Sequence, residues 1–183
     1  MSKVNKLIRS YKTYIAIPWR MDTPAAQRVI FCIYNENDEL RLRAKIDEFE
    51  ITTREYGHEW ALYDLTNTFA EWISKQRYAQ NYFQKPHLLS TLLPNYLDYI
   101  VKDFEEFIQK NEIDNNTVVA VKGVSSLFGF LKVRDVVDRM APLFKGRLLI
   151  FFPGSYENNV YKLLDGYDSW NYMAVPITPD RIY

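Results

Sequence analysis

Residues 28–34, RVIFCIY, form a short run in which almost every side chain is apolar or aromatic. Such a run is typical of a strand buried on both faces of a sheet, because β-branched and aromatic side chains pack well on a pleated surface. TVVAV at 117–121 and RLLIFF at 147–152 have the same character. Two further strands are predicted at 60–65 and 172–177, which makes five in all.

Amphipathic helices are predicted between these strands, because apolar residues recur there every three or four positions. The predicted helices cover about 2–14, 38–56, a segment from 66, a segment from 95, and 133–140. Residues 76–94 lose this period and are expected to form an insertion or lid. The turn 153–155 is expected to end the fourth strand, and a short helical turn is expected at 161–164.

Strands that alternate with helices predict βαβ units. The expected fold is an α/β three-layer sandwich with a mainly parallel sheet of about five strands. It would be similar to a degenerate P-loop or Rossmann-like domain without a Walker A motif. The length of 183 residues favours a single domain over 1–183.

The charge balance argues against a general attraction to nucleic acids. Twenty-three basic residues match twenty-three acidic ones, so the formal net charge is zero. The one cysteine, Cys32, cannot form an internal disulfide. The first residues lack the apolar core of a signal peptide, and no apolar run approaches the 18 residues that favour a membrane span. A cytoplasmic protein without membrane contact is expected.

Motifs for catalysis are incomplete. The segments after the first and third strands, YNENDEL (34–40) and KGVSSLFGF (122–130), lack the glycine and lysine order of a phosphate-binding loop. His58 and His87 lie in different segments, so no metal site is predicted. Ser155 follows a strand, but G-x-S-x-G is absent and no histidine follows His87. We therefore expect no catalytic residues, no metal and no cofactor.

Polar residues at the predicted strand ends are candidate contacts for a ligand or a partner. They are Ser125, Ser126, Tyr156, Asn158 and Asn159. Parallel sheets bind ligands beyond the carboxyl ends of their strands. The same side chains could equally cap turns.

A candidate protein interface is predicted at Arg43, Asp47, Tyr78 and Tyr82. The first two lie on a helix of alternating charge, and the tyrosines lie in a stretch of mixed aromatic and basic residues, 72–83. A second such stretch covers 9–20. Stacking and positive charge serve both single-strand binding and protein interfaces. The zero net charge favours the protein interface.

Four phrases resemble a known family. They are LRAKIDEFE (42–50), DLTNTFAEW (64–72), VSSLFGFLKV (124–133) and RLLIFFPGSYENNVYKLLDGYDSWNYMAVPI (147–177). They are similar to the BrxB family, small proteins encoded in bacterial BREX phage-defence islands. The resemblance covers essentially the whole chain.

The resemblance implies a role in bacteriophage exclusion beside a DNA methyltransferase, a large ATPase and the alkaline-phosphatase-like protein PglZ. It implies no established catalytic residues, and action by association, with PglZ as the first partner to expect. The expected function is a non-catalytic assembly or adaptor subunit. The alternative is a ligand-binding or catalytic domain that recognises a nucleotide or nucleic acid at the carboxyl ends of the strands.

Overall fold

A computed structural model describes residues 1–166, 169–181 and 183 of the chain. The helices in this part are α1 Lys3–Ile15, α2 Glu39–Arg43, α3 Ile46–Glu55, α4 Thr68–Ser74, α5 Ala79–Gln84, α6 Leu93–Lys110 and α7 Val133–Met140. The strands are β1 Val29–Tyr34, β2 Glu59–Asp64, β3 Thr117–Lys122, β4 Arg147–Glu157, β5 Val160–Leu163, β6 Ser169–Trp170 and β7 Val175–Ile177.

The sheet confirms the α/β class and is larger than expected. Five strands lie in the order β2-β3-β4-β1-β7, and each neighbouring pair in that path is parallel. β5 pairs with β4 and β6 pairs with β5, both antiparallel, so the sheet has seven strands and is mixed. The likeness to a nucleotide-binding domain stays a prediction.

Both faces of the sheet are covered by helices, as the continuous apolar strands require. On one face α1, α2 and α3 bury Leu7, Leu42 and Phe49 against side chains such as Cys32 of β1. On the other face α4, α6 and α7 bury a second cluster, which includes Phe31 of β1. The helices and the sheet therefore form three layers.

The helix predicted over 38–56 is interrupted. α2 ends at Arg43 and α3 begins at Ile46, with Lys45 at φ −120° and ψ 9° between them. The buried stripe continues across the break, because Leu42, Ile46 and Phe49 all stay in the core. Apolar spacing alone therefore could not reveal the interruption.

The predictions for residues 153–164 are wrong. β4 runs on through Pro153, Gly154 and Ser155 to Glu157, and β5 replaces the helical turn expected at 161–164. A Cβ atom on Gly154 would lie 2.0 Å from the Lys162 carbonyl oxygen, so glycine permits the two strands to approach there. The parallel pairing with β1 ends at Pro153, and the antiparallel pairing with β5 begins at the next residue.

The irregular segment 76–94 contains α5 and a short 3₁₀ turn, Pro86–Thr91. It lies on the α4 and α6 side of the sheet, where Tyr82, Leu89 and Leu92 pack against the core. None of the described helices is both long enough and apolar enough to cross a bilayer.

Cys32 offers a test of this core. Its side chain is fully buried in β1, and burial raises the pKa of the thiol well above its ordinary value. A neutral, inaccessible thiol is unreactive. We expect a disulfide reagent at pH 8 to leave the native chain unmodified and to modify it stoichiometrically in guanidinium chloride. Rapid reaction without denaturant would contradict the buried position.

Candidate functional site

Charged side chains form a network where β1, β2 and β3 end. The Tyr34 hydroxyl donates to Glu39 on α2, and Arg43 Nε donates to Glu39 Oε1 at 2.6 Å. Lys122 Nζ, at the end of β3, lies 3.3 Å from Asp64 Oδ2, at the end of β2. Two cations and two carboxylates compensate one another, so the network ties α2 to the end of the sheet.

The pKa of Asp64 is lowered. Burial acts to raise it, but the hydrogen bonds from the hydroxyl and backbone N–H of Thr66, together with the charge of Lys122, outweigh that effect. The pKa of the Tyr34 hydroxyl is raised, first by burial and then by its hydrogen bond to Glu39. Asp64 therefore stays ionised and Tyr34 stays neutral at pH 7. Neither has the pKa near neutrality that favours a general acid or base.

The two candidate serines lie in the 3₁₀ turn after β3. The Ser126 hydroxyl lies 2.7 Å from the Gly123 carbonyl oxygen and 3.0 Å from the Leu65 carbonyl oxygen. It therefore links the end of β2 to the turn. Ser125 beside it is half-buried.

The other three candidate contacts lie on the β4–β5 hairpin. Asn158 and Asn159 have φ of 51° and 64°, and they form the two-residue turn between Glu157 and Val160. Two successive positive φ values are the signature of a type I′ hairpin, in which asparagine is favoured. The Tyr156 hydroxyl donates to Asn159 Oδ1 at 2.9 Å. These polar groups thus stabilise the hairpin.

A cavity of about 890 Å³ lies between the loop 128–132, the first turns of α7 and the described residues 163–166 and 169–170. Phe128, Phe130 and Trp170 form apolar walls, and Arg134 Nε lies 3.5 Å from Asp138 Oδ2 at the rim. The lining comes from segments about 30 residues apart, so no local motif could reveal it. None of the predicted site residues lines it.

The four candidate interface residues do not form one surface. Arg43 and Asp47 lie on α2 and α3, on one face of the sheet, whereas Tyr78 and Tyr82 flank and occupy α5 on the other. Tyr78 is 53% exposed. Tyr82 is half-buried and packs against the core.

In the stretch at 9–20 the aromatic side chains pack inside the protein, whereas Arg9, Lys12 and Arg20 are exposed. Tyr11 is buried and its hydroxyl lies 2.6 Å from Thr53 Oγ1. The Trp19 ring stacks on His58 with centroids 3.7 Å apart, and the guanidinium of Arg147 lies 4.7 Å from the Trp19 ring centroid.

The stretch around α5 is instead exposed. We call it the cationic aromatic surface, and its members are Lys75, Arg77, Tyr78, Phe83, Lys85 and Leu88. Phe83 is 65% exposed and Leu88 is 39% exposed. The sequence has no Asp or Glu between Trp72 and Leu97. Phe83 lies in the predicted stretch 72–83 but is not among the candidate interface residues, and its exposure now adds it to Tyr78.

Metal-ligating residues are scattered. Within residues 1–166, 169–181 and 183, no three His, Cys, Asp or Glu side chains are grouped to hold a metal ion.

The fold and its surfaces define a three-layer α/β protein with an exposed cationic aromatic surface. Comparison with known families adds a match of residues 61–177 to the family described as BREX protein BrxB. The match covers more than half of the chain, and the chain belongs to the BrxB family. It is therefore a component of the BREX phage-defence system. No curated protein and no solved structure matches the chain.

Proposed function

We propose that the chain is a non-catalytic assembly subunit that binds another BREX protein, PglZ first among them, through the cationic aromatic surface. The exposure of Tyr78, Phe83 and Leu88 beside three cations carries the proposal. Aromatic and arginine side chains are enriched where protein interfaces bind most tightly.

The charges of this surface indicate the kind of partner. Arg77 Cζ lies 5.4 Å from the Tyr78 ring centroid, and Lys75 Nζ lies 5.4 Å from that of Tyr99. In the part of the chain that the structure describes, no carboxylate forms an ion pair with Lys75, Arg77 or Lys85. An acidic surface on the partner would complement these cations.

The alternative of a nucleotide or nucleic-acid ligand has less support. Four of the five residues predicted to contact it, Ser126, Tyr156, Asn158 and Asn159, are engaged in turns within the chain. The strand-end network also balances its own charges, so it offers no excess positive charge to a phosphate.

Truncation of the exposed aromatic residues tests the proposal. We expect Phe83→Ala and Tyr78→Ala each to weaken binding to purified PglZ by about tenfold or more, because each removes apolar contact area from the interface. Dissociation constants would be measured by isothermal titration calorimetry with both proteins folded.

Ile51→Ala is the matched control. Ile51 is 57% exposed but lies on α3, across the sheet from the cationic aromatic surface. The Ile51→Ala variant should bind PglZ with the same affinity as the unmodified chain. The proposal fails if PglZ and the chain form no complex at micromolar concentration, or if all three variants bind with equal affinity.

A further inference from the structure

β2 is an edge strand, and no described residue pairs with the backbone groups on its outer side. It lies at one end of the sheet and pairs with β3. The Glu59 N–H donates to the carbonyl oxygen of Asn116, just before β3, at 3.1 Å, and the Leu65 N–H donates to that of Lys122 in β3 at 2.9 Å. Successive residues of a strand direct their backbone groups to opposite sides. The N–H and C=O groups of Trp60, Leu62 and Asp64 therefore point away from the sheet.

The opposite edge of the sheet is protected and this one is not. β7 has three residues and its middle one is Pro176, which cannot donate to an added strand. β2 has six residues, EWALYD, without proline or lysine, and its central residues Trp60, Ala61 and Leu62 are half-buried. Natural proteins blunt exposed edges with proline, lysine or short strands. β2 uses none of these devices.

A groove of about 280 Å³ runs beside the edge. It is lined by β2, by Phe107 of α6 and by the loop that follows α6. Its lining includes three carboxylates, and among the described residues that line it there is no Lys, Arg or His. Glu59 already pairs with Arg54 at 2.6 Å, whereas Glu112 and Asp114 form no ion pair with any described residue. A basic residue on an occupant would therefore complement the groove.

We infer that an extended basic segment of another protein binds as an additional strand along β2. Its backbone would pair with Trp60 and Leu62, and a Lys or Arg would lie near Glu112 and Asp114. Addition of a strand to an exposed edge is a recurring mode of peptide recognition. A second copy fits poorly, because β2 itself, EWALYD, contains no Lys or Arg and would bring no basic residue to the groove.

Selected peptides and amide exchange test the inference. Eight-residue peptides would be selected from a random library on the immobilised full chain, and amide hydrogen exchange would be followed by NMR. We expect peptides with alternating β-branched residues and a flanking Lys or Arg. At ten times the dissociation constant, exchange at Trp60 and Leu62 should slow about tenfold. Exchange at Ala61 and Tyr63, which already bond to β3, should not change.

The Leu62→Pro variant lacks one outward N–H group and should no longer bind the peptides. The control variant, Leu62→Ala, has a shorter side chain but keeps that N–H group, so it should still bind them. If Leu62→Pro does not fold, N-methylation of alternate peptide amides gives the same test on the unmodified chain. The inference is overturned if no peptide is recovered, if bound peptides leave exchange at Trp60 and Leu62 unchanged, or if β2 instead pairs two copies in sedimentation experiments. None of these measurements depends on PglZ or the cationic aromatic surface.

Discussion

Replacing Phe31 with alanine is expected to lower the free energy of unfolding by about 3–5 kcal/mol, the range for removal of a buried aromatic side chain. Phe31 is fully buried in the middle of β1. Its ring centroid lies 4.7 Å from that of Tyr161 on β5 and 5.3 Å from that of Phe152 on β4. The ring therefore packs the hairpin against the parallel part of the sheet, and its loss leaves a cavity between them.

Urea unfolding followed by circular dichroism measures this effect. Phe128→Ala is the control, because Phe128 is 49% exposed on the loop before α7. Its truncation should cost less than about 1 kcal/mol, as is usual for surface positions. Equal losses for the two variants would show that Phe31 is not part of a close-packed core.

Gly123→Ala is expected to lower the free energy of unfolding by about 2–5 kcal/mol, because strain and overpacking add at this position. Gly123 follows β3 with φ of 79°, a left-handed conformation. A Cβ atom there would lie 2.5 Å from Thr66 Oγ1 and 2.6 Å from the Thr66 backbone nitrogen. The backbone cannot move away without disturbing the turn that follows β2.

Gly129→Ala separates the two causes. Gly129 has a nearly identical φ of 81°, but nothing lies within 4 Å of a Cβ atom built there. Gly129→Ala should therefore lower the free energy of unfolding by about 1–2 kcal/mol, from conformational strain alone. The difference between the two variants, measured by the same urea unfolding, reports the contact with Thr66. No difference would mean that the turns after β2 and β3 do not approach as closely as the structure has them.

The parallel strands could be predicted because each is marked by its own residues. The run 28–34 predicted β1 to within one residue, and 117–121 predicted all of β3 except Lys122. The hairpin could not be predicted in this way. Pro153 and Gly154 are turn formers locally, and only the pairing of Pro153 with β1 and of Gly154 with β5 makes them part of a strand.

The candidate surfaces, too, could be predicted only in part from the sequence. The pattern of aromatic and basic residues indicated two stretches, 9–20 and 72–83, and the predicted interface tyrosines, Tyr78 and Tyr82, lie in the second. The structure buries Tyr11 and packs the Trp19 ring against His58 and Arg147, whereas Tyr78 remains exposed. The open edge of β2 had no local signal, because an edge is defined by the absence of a neighbouring strand.

By itself the sequence determined the α/β class, the positions of the parallel strands and the likeness to the BrxB family. Periodicity and residue type are local properties, and they persist whatever the rest of the chain does. Only the tertiary structure decided the order of the strands, the hairpin beyond β4, the face on which each helix lies and the strand left at the edge. These depend on which distant segments meet, and that choice is made by packing among residues far apart in the chain.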